Sequence, residues 1–338
     1  MTPLFINGRY LTQALTGVQR FCREIAACMP EAAILTPQGA QGGTATGRRQ
    51  GQAWEQLELA PAARAGLLLN LGNTAPLIRR GRQAVVIHDA GVFDTPESYS
   101  LPFRLWYRAL HFSLARNGTR LLTVSGFSRG RLARHLRVDP ARIGVVAEGG
   151  EHIVRNPADT AILTQHGLEP RRYALAVGTQ AAHKNLSALQ GAAALLEQHG
   201  MVLALAGARD ATVFREAGAG AARPLGRVCD AALRALYENA LCLIFPSRYE
   251  GFGLPPLEAM WCGCPVIAGQ SGALPEVLGD AALWFAPDDP QGITRRLAPL
   301  IGDPALHAGL AAAGRARAEK FSWPAAAARL LQLTNEPA

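Results

Sequence analysis

The sequence predicts an α/β protein built from two doubly wound, Rossmann-like domains. Short apolar runs ending in Gly, Asn, Asp, Ser or Pro recur at residues 66–70, 84–89, 121–125, 143–146, 173–178, 201–207, 241–246 and 265–268, with alanine- and leucine-rich stretches between several of them. Continuous apolar strands of this kind are buried on both faces, which implies parallel sheets covered by helices. At 338 residues the chain exceeds what one hydrophobic core usually serves, and a polar break at residues 155–172 separates two series of strands, the second restarting at Tyr173. The expected domains are residues 1–160 and 170–321, with residues 322–338 packing back on the first.

Composition narrows the class. A hydrophobic fraction of 49% excludes a largely disordered chain. The longest uncharged stretch near membrane length, residues 259–275, carries Gly263, Pro265, Gly269 and Gly272 and cannot form a spanning helix. The first residues run at once into Asn7-Gly8-Arg9, so no secretory signal is expected and the location expected is the cytoplasm, with the inner face of the membrane as a docking surface. Six cysteines without a C-x-x-C pair read as buried, reduced thiols, and the Gly/Gln/Thr-rich residues 38–52 read as a surface loop. Charge is lopsided: residues 1–150 carry an excess of nine positive charges and the remainder a net of −1. A basic half calls for an acidic partner, whether nucleic acid, anionic lipid or a phosphorylated substrate. No recognised nucleic-acid module is present, so nucleic acid is not expected.

In open α/β sheets, ligands bind beyond the carboxyl ends of the strands. That rule selects Gly17, His88, Asp89, Ser125, Gly178, Lys184, Gly207 and Glu250. A nicotinamide enzyme fails the check, because no complete G-x-G-x-x-G occurs. The segment 241–275 is the most informative. An apolar strand ends at Phe245-Pro246, a loop holds Glu250-Gly251-Phe252-Gly253, and Leu254-Pro255-Pro256 opens a helix containing Glu258. Glycines allow close backbone approach, and a helix start offers N–H groups and positive dipole, which suits a diphosphate. Two carboxylates beside it cannot bind phosphate and should accept hydrogen bonds from hydroxyls, including a cis-diol such as ribose. Diphosphate, diol and further hydroxyls together describe a nucleotide sugar.

This stretch resembles the signature of the family-4 retaining glycosyltransferases of the GT-B fold, with two glutamates in the same relative placement. The likeness continues through Gly272-Ala273-Leu274-Pro275-Glu276-Val277, Gly279-Asp280-Ala281-Ala282 and Phe321-Ser322-Trp323. Val177-Gly178-Thr179-Gln180 to Lys184-Asn185-Leu186 is similar to the family's second phosphate-binding segment, Thr16-Gly17-Val18-Gln19-Arg20 to its N-terminal glycine loop, and Val124-Ser125-Gly126-Phe127-Ser128 to its Ser-x-Phe-Ser turn. Many members carry Arg at the position of Thr179 or His183, so Arg227 and Arg248 are the substitutes to consider.

The resemblance implies two domains facing a cleft and transfer of a hexose from a nucleotide diphosphate sugar, with retention, to a saccharide or a polyprenyl-diphosphate-linked acceptor. It implies His88, Lys184 and Glu250 in catalysis. Gly17, Gly178, Thr179, Lys184, Arg248, Glu250, Gly251, Phe252, Gly253, Leu254 and Glu258 would hold the donor, and Asp89, Ser125 and Trp106 the acceptor. The general look is that of bacterial mannosyltransferases of capsule, exopolysaccharide or lipopolysaccharide assembly. GDP-mannose is then the first donor to consider, with UDP-sugars or dTDP-rhamnose as alternatives. A nucleotide-sugar epimerase of the same architecture is the competing activity. No D-x-D occurs, so neither a metal nor any other cofactor is expected. In the segment 101–116, Phe103, Trp106, Tyr107, Leu110 and Leu114 share one helical face, which reads as core packing; the sharper reading is an acceptor or membrane-facing surface aided by the arginines of 129–142.

Overall fold

The computed structural model describes residues 2–37, 51–79, 81–178, 181–207 and 222–336. Two compact units divide the chain: Met1–Glu148 with Trp323–Ala338, and Gly149–Ser322. The chain thus enters the second unit at Glu148/Gly149, ahead of the polar break at 155–172. The reason is local. Residues 151–154 form a short turn of helix whose His152 reaches Glu258, while Arg234 donates to the carbonyls of Val154 and Asn156 at 2.8 and 2.7 Å. Those bonds tie the polar segment to the second unit.

The first unit holds a six-stranded sheet of β1 (Leu4–Asn7), β2 (Ala33–Leu35), β3 (Leu67–Asn70), β4 (Gln83–Val86), β5 (Arg120–Thr123) and β6 (Ile143–Val145), in the order β2-β1-β3-β4-β5-β6. The second holds β7 (Tyr173–Val177), β8 (Val202–Ala206), β9 (Ala222–Gly226), β10 (Cys242–Phe245), β11 (Val266–Gly269) and β12 (Leu283–Phe285), in the order β12-β11-β10-β7-β8-β9. Every pairing is parallel. Both orders are doubly wound, and each has one point at which the winding reverses: between β1 and β3 in the first sheet, and between β7 and β10 in the second.

Helices cover the apolar strands. In the first unit these include α1 (Gly17–Ala27), α2 (Leu101–Leu114) and α3 (Gly126–Leu136); in the second, α4 (Asp230–Asn239) and α5 (Leu254–Trp261); α6 (Trp323–Asn335) returns to the first unit. Trp323 is fully buried against Phe21 of α1, with ring centroids 5.9 Å apart, and Leu333 fills the space beside Gly144 of β6. The return of the terminal helix therefore completes the first core. All six cysteines are free; Cys22, Cys242 and Cys264 are buried, Cys28 and Cys262 half-buried, and Cys229 exposed. Residues 38–50 of the expected surface loop lie outside the described residues.

Candidate active site

The reversal between β7 and β10 brings together the two loops that the sequence singled out. After β7 the chain passes Gly178 and reaches Lys184; after β10 it passes Ser247 and Arg248 to Glu250. Two bonds stitch these loops: Asn185 Nδ2 donates to the Pro246 carbonyl at 3.2 Å, and the Arg248 N–H to the His183 carbonyl at 2.8 Å. Lys184 Nζ consequently meets Glu250 Oε1 at 2.7 Å, with its ammonium 5.5 Å from the centre of the Phe245 ring. Both side chains are largely shielded, so this is an ion pair in a restricted, polarisable corner and not a solvated surface pair.

Glycine sets the spacing of this corner. Gly272, at φ +58°, lies so close to Glu250 that a Cβ there would come within 2.5 Å of its carbonyl oxygen, and the Ala273 N–H donates to the same oxygen at 3.0 Å. Gly253, at φ +107°, is the N-cap of α5, a left-handed conformation that favours glycine. Pro255 and Pro256 remove two of the N–H groups a helix start usually offers. The Phe252 side chain is buried, edge-on to Phe321. Arg248 is half exposed and pairs with Asp288 at 3.1 Å, and Arg227 is exposed. Thr179 lies outside the described residues.

Glu258 sits on the second turn of α5 and is only 7% exposed. Its carboxylate oxygens each take one hydrogen bond from the protein: Oε1 from His152 Nε2 at 3.0 Å and Oε2 from the Tyr237 hydroxyl of α4 at 3.2 Å. Burial and the neighbouring carboxylate push the Tyr237 hydroxyl well above its ordinary pKa, which keeps it a donor. A carboxylate oxygen accepts about two hydrogen bonds, and among the described residues each of these oxygens has one side-chain partner. Sequence reasoning did not single out His152, Tyr237 or Ser247, whose buried hydroxyl has no hydrogen-bond partner among the described residues.

In the first unit, His88 follows β4. It is buried, and its ring is fixed: Nε2 lies 2.9 Å from the Leu71 carbonyl, Nδ1 faces the Glu148 carboxylate at 3.4 Å, and Phe21 packs edge-on at 4.8 Å. A carbonyl only accepts, so Nε2 carries the proton. Asp89 Oδ1 accepts from the Gly91 N–H at 2.6 Å and shapes the turn after the strand. Ser125 is buried and caps α3, its hydroxyl accepting from the Ser128 N–H at 3.0 Å. Gly17 opens α1 with space for a Cβ above it, and Arg20 pairs with Glu24 at 3.5 Å. At the reversal between β1 and β3, a buried polar cluster forms: Asn7 and Thr74 each donate to Glu55 at 2.8 Å, with Arg9 3.6 Å away. None of these four was singled out, since isolated polar residues after strands carry no local pattern.

The face of α2 assigned to the core divides in two. Leu110, His111 and Leu114 are buried, but Phe103 and Trp106 are exposed. Among the described residues, no three His, Cys, Asp or Glu side chains are grouped to hold a metal ion.

Residues 159–317 match the family model described as glycosyl transferases, group 1. The O-antigen chain mannosyltransferase B of Escherichia coli is 36% identical over 260 residues, 72% of this chain and 68% of that protein. The chain belongs to the group 1 glycosyltransferases. The O-antigen chain mannosyltransferase RfbU of Salmonella typhimurium is 28% identical over 229 residues, 66% of this chain and 61% of that protein. Among solved structures, sucrose-phosphate synthase from Thermosynechococcus elongatus aligns with a TM-score of 0.77 at 19% identity, over 98% of each chain. The fold is that of the GT-B glycosyltransferases, and the family match falls on the unit that holds the Lys184–Glu250 corner.

Proposed function

We propose that this group 1 glycosyltransferase is a retaining, metal-independent mannosyltransferase of bacterial surface polysaccharide synthesis. It would move mannose from GDP-mannose to a saccharide or polyprenyl-diphosphate-linked saccharide at the cytoplasmic side of the membrane. The observation that carries the reading is the Lys184–Glu250 pair at the reversal of the second sheet, beside the start of α5. The relatedness to the O-antigen mannosyltransferase supports the choice of sugar.

The chemistry follows from charge. Departure of the nucleoside diphosphate builds negative charge on the leaving oxygen while the sugar becomes oxocarbenium-like, and preorganised donors aimed at that oxygen are the largest available term. Lys184, Arg248 and the N–H groups of Gly251 to Leu254 would supply them, with Gly178, Thr179 and Gly17 shaping the close approach. Glu250 would hold Lys184 in place until the diphosphate arrives and then accept from sugar hydroxyls. Glu258, oriented by His152 and Tyr237, would take the ribose diol. His88, its two ring nitrogens already engaged by Leu71 and Glu148, would act by shape and position beside the reacting sugar and need not be a nucleophile; no close carboxylate pair of the kind retaining glycosidases use is found at Glu250 or Glu258, whose partners are Lys184, His152 and Tyr237.

Incubation with labelled GDP-mannose, UDP-hexoses and dTDP-rhamnose, with and without saccharide acceptors, tests this. Acceptor-dependent transfer from GDP-mannose is expected. Isomerisation of the nucleotide sugar without acceptor would replace the reading with an epimerase, and binding without turnover would end the enzymatic reading.

A further inference from the structure

Every large hydrophobic side chain that stands exposed among the described residues belongs to the first unit, which also carries the whole positive excess of the chain. Four of them fall within six consecutive positions at the start of α2: Leu101, Phe103, Leu105 and Trp106 are 55, 40, 56 and 37% exposed. Such a cluster on a helix end is not an ordinary solvated face.

Topology says where that end lies. β4 and β5 are parallel neighbours, so the connection between them leaves the carboxyl edge of the sheet and returns at the amino edge. The first turns of α2 therefore lie toward the edge from which His88 emerges. Tyr99, Phe103 and Tyr107 form a near-parallel ring stack, with centroids 5.4 and 4.2 Å apart, that stiffens these turns. By the same rule α3 starts at the carboxyl edge, with exposed Arg129 in its first turn, and carries Arg134 and Arg137 away to the amino edge. Arg131 is committed to Asp94, its Nε 2.9 Å from Oδ2. The arginines of 131–137 are thus poorly placed to serve the reacting edge.

We infer that the N-terminal half of α2 is a lipid-docking element that seats the first unit on an anionic membrane, Leu101, Leu105 and Trp106 entering the interface while Arg104 and Arg129 meet the headgroups. The occupant follows from charge complementarity: an apolar helix end on a unit of net +9 fits an anionic bilayer surface. The inference rests on the reading that the acceptor is lipid-linked, since docking at this edge would bring a membrane-held acceptor to the side of the sheet that carries His88.

The full chain is co-sedimented with phosphatidylcholine vesicles, with and without phosphatidylglycerol, at low and high salt. The parent should pellet with the anionic vesicles and be released in part by salt. Leu101→Gln with Leu105→Gln should weaken partitioning by roughly tenfold or more, because two buried leucines are lost from the interface. Arg134→Gln with Arg137→Gln should pellet nearly as the parent does. Brominated phosphatidylglycerol should quench a fraction of the tryptophan emission that disappears in Trp106→Phe. Equal pelleting of the parent and the leucine variant, or no quenching at Trp106, overturns the inference. So does a lipid-free dimer, seen by sedimentation velocity, that the leucine variant dissociates. Transfer to a short water-soluble acceptor, measured alongside, should survive in the leucine variant. Its absence in the parent would count against the mannosyltransferase reading and leave the vesicle result to be judged separately.

Discussion

Glu258 offers the sharpest test of how the donor is held. Glu258→Gln keeps the volume of the side chain but replaces an ionised acceptor with an amide. Each hydrogen bond to a charged group contributes about 1.5–3 kcal/mol, so a diol held by the carboxylate should favour the ribonucleotide over its 2′,3′-dideoxy analogue by about 2–4 kcal/mol, roughly 30- to 1000-fold in Kd. The variant should lose most of that preference, falling to about tenfold or less, while its affinity for the dideoxy nucleotide changes little. Stability must be followed separately. The Tyr237 hydroxyl and His152 are buried and lose the ionised partner they share, which costs about 1–3 kcal/mol in the folded protein. Calorimetry of the parent and variant with both nucleotides, below the unfolding transition of each, separates the effects. Equal affinity of the parent for ribo- and dideoxynucleotide would refute the assignment of Glu258 to ribose, whatever the variant does. Tyr237→Phe should narrow the preference partway, since it frees Oε2 from its fixed orientation.

Glu250→Gln removes the counter-charge 2.7 Å from Lys184, so bare nucleoside diphosphate should bind severalfold tighter while transfer falls by about 100-fold; weaker diphosphate binding would be the contrary result. His111 is buried against the Asn73 carbonyl, and desolvation lowers its pKa from 6.5 to about 4. Between those values the unfolded chain binds the extra proton, so stability is lost as pH falls from about 6.5 to about 4, by about 3 kcal/mol for this group. Denaturation midpoints for the parent and His111→Gln should converge over that interval, and parallel curves would exclude His111 as the cause. Trp323→Ala empties a fully buried site against Phe21 and should destabilise the first unit by about 3–5 kcal/mol, read by urea titration; a loss under about 1 kcal/mol would contradict the packing.

The eight apolar runs read from the sequence lie on eight of the twelve strands, because strands buried on both faces leave an uninterrupted hydrophobic signature. Of the four others, β2, β9 and β12 stand at sheet edges, where a half-covered strand such as Ala222–Gly226 can carry Arg223 and Pro224; β1 is the fourth. Lys184, Glu250, Gly253 and Glu258 were legible because closely spaced glycines, prolines and glutamates make a local pattern. His152, Tyr237, Glu148 and the Asn7–Glu55–Thr74 cluster were not, since each acquires meaning only when distant segments meet. The amphipathic period of 101–116 located a helix but not the depth of its burial. Periodicity says which residues share a face, and not how far along the helix that face is covered.

The return of α6 has a consequence for synthesis. Gly149–Ser322 is one continuous stretch and can complete its sheet as soon as it clears the ribosome. The unit begun first must wait for α6 to be made. At about 5–20 residues per second, the intervening stretch takes on the order of ten to thirty seconds. Throughout that time Phe21 lacks its Trp323 neighbour and the side of β6 beside Gly144 lacks Leu333, so the nascent amino-terminal sheet carries an open apolar seam. Emergence of α6 closes it. A premature stop near residue 322 would leave the later-made unit whole and the earlier one permanently unsealed, a form marked for aggregation or proteolysis rather than for partial activity.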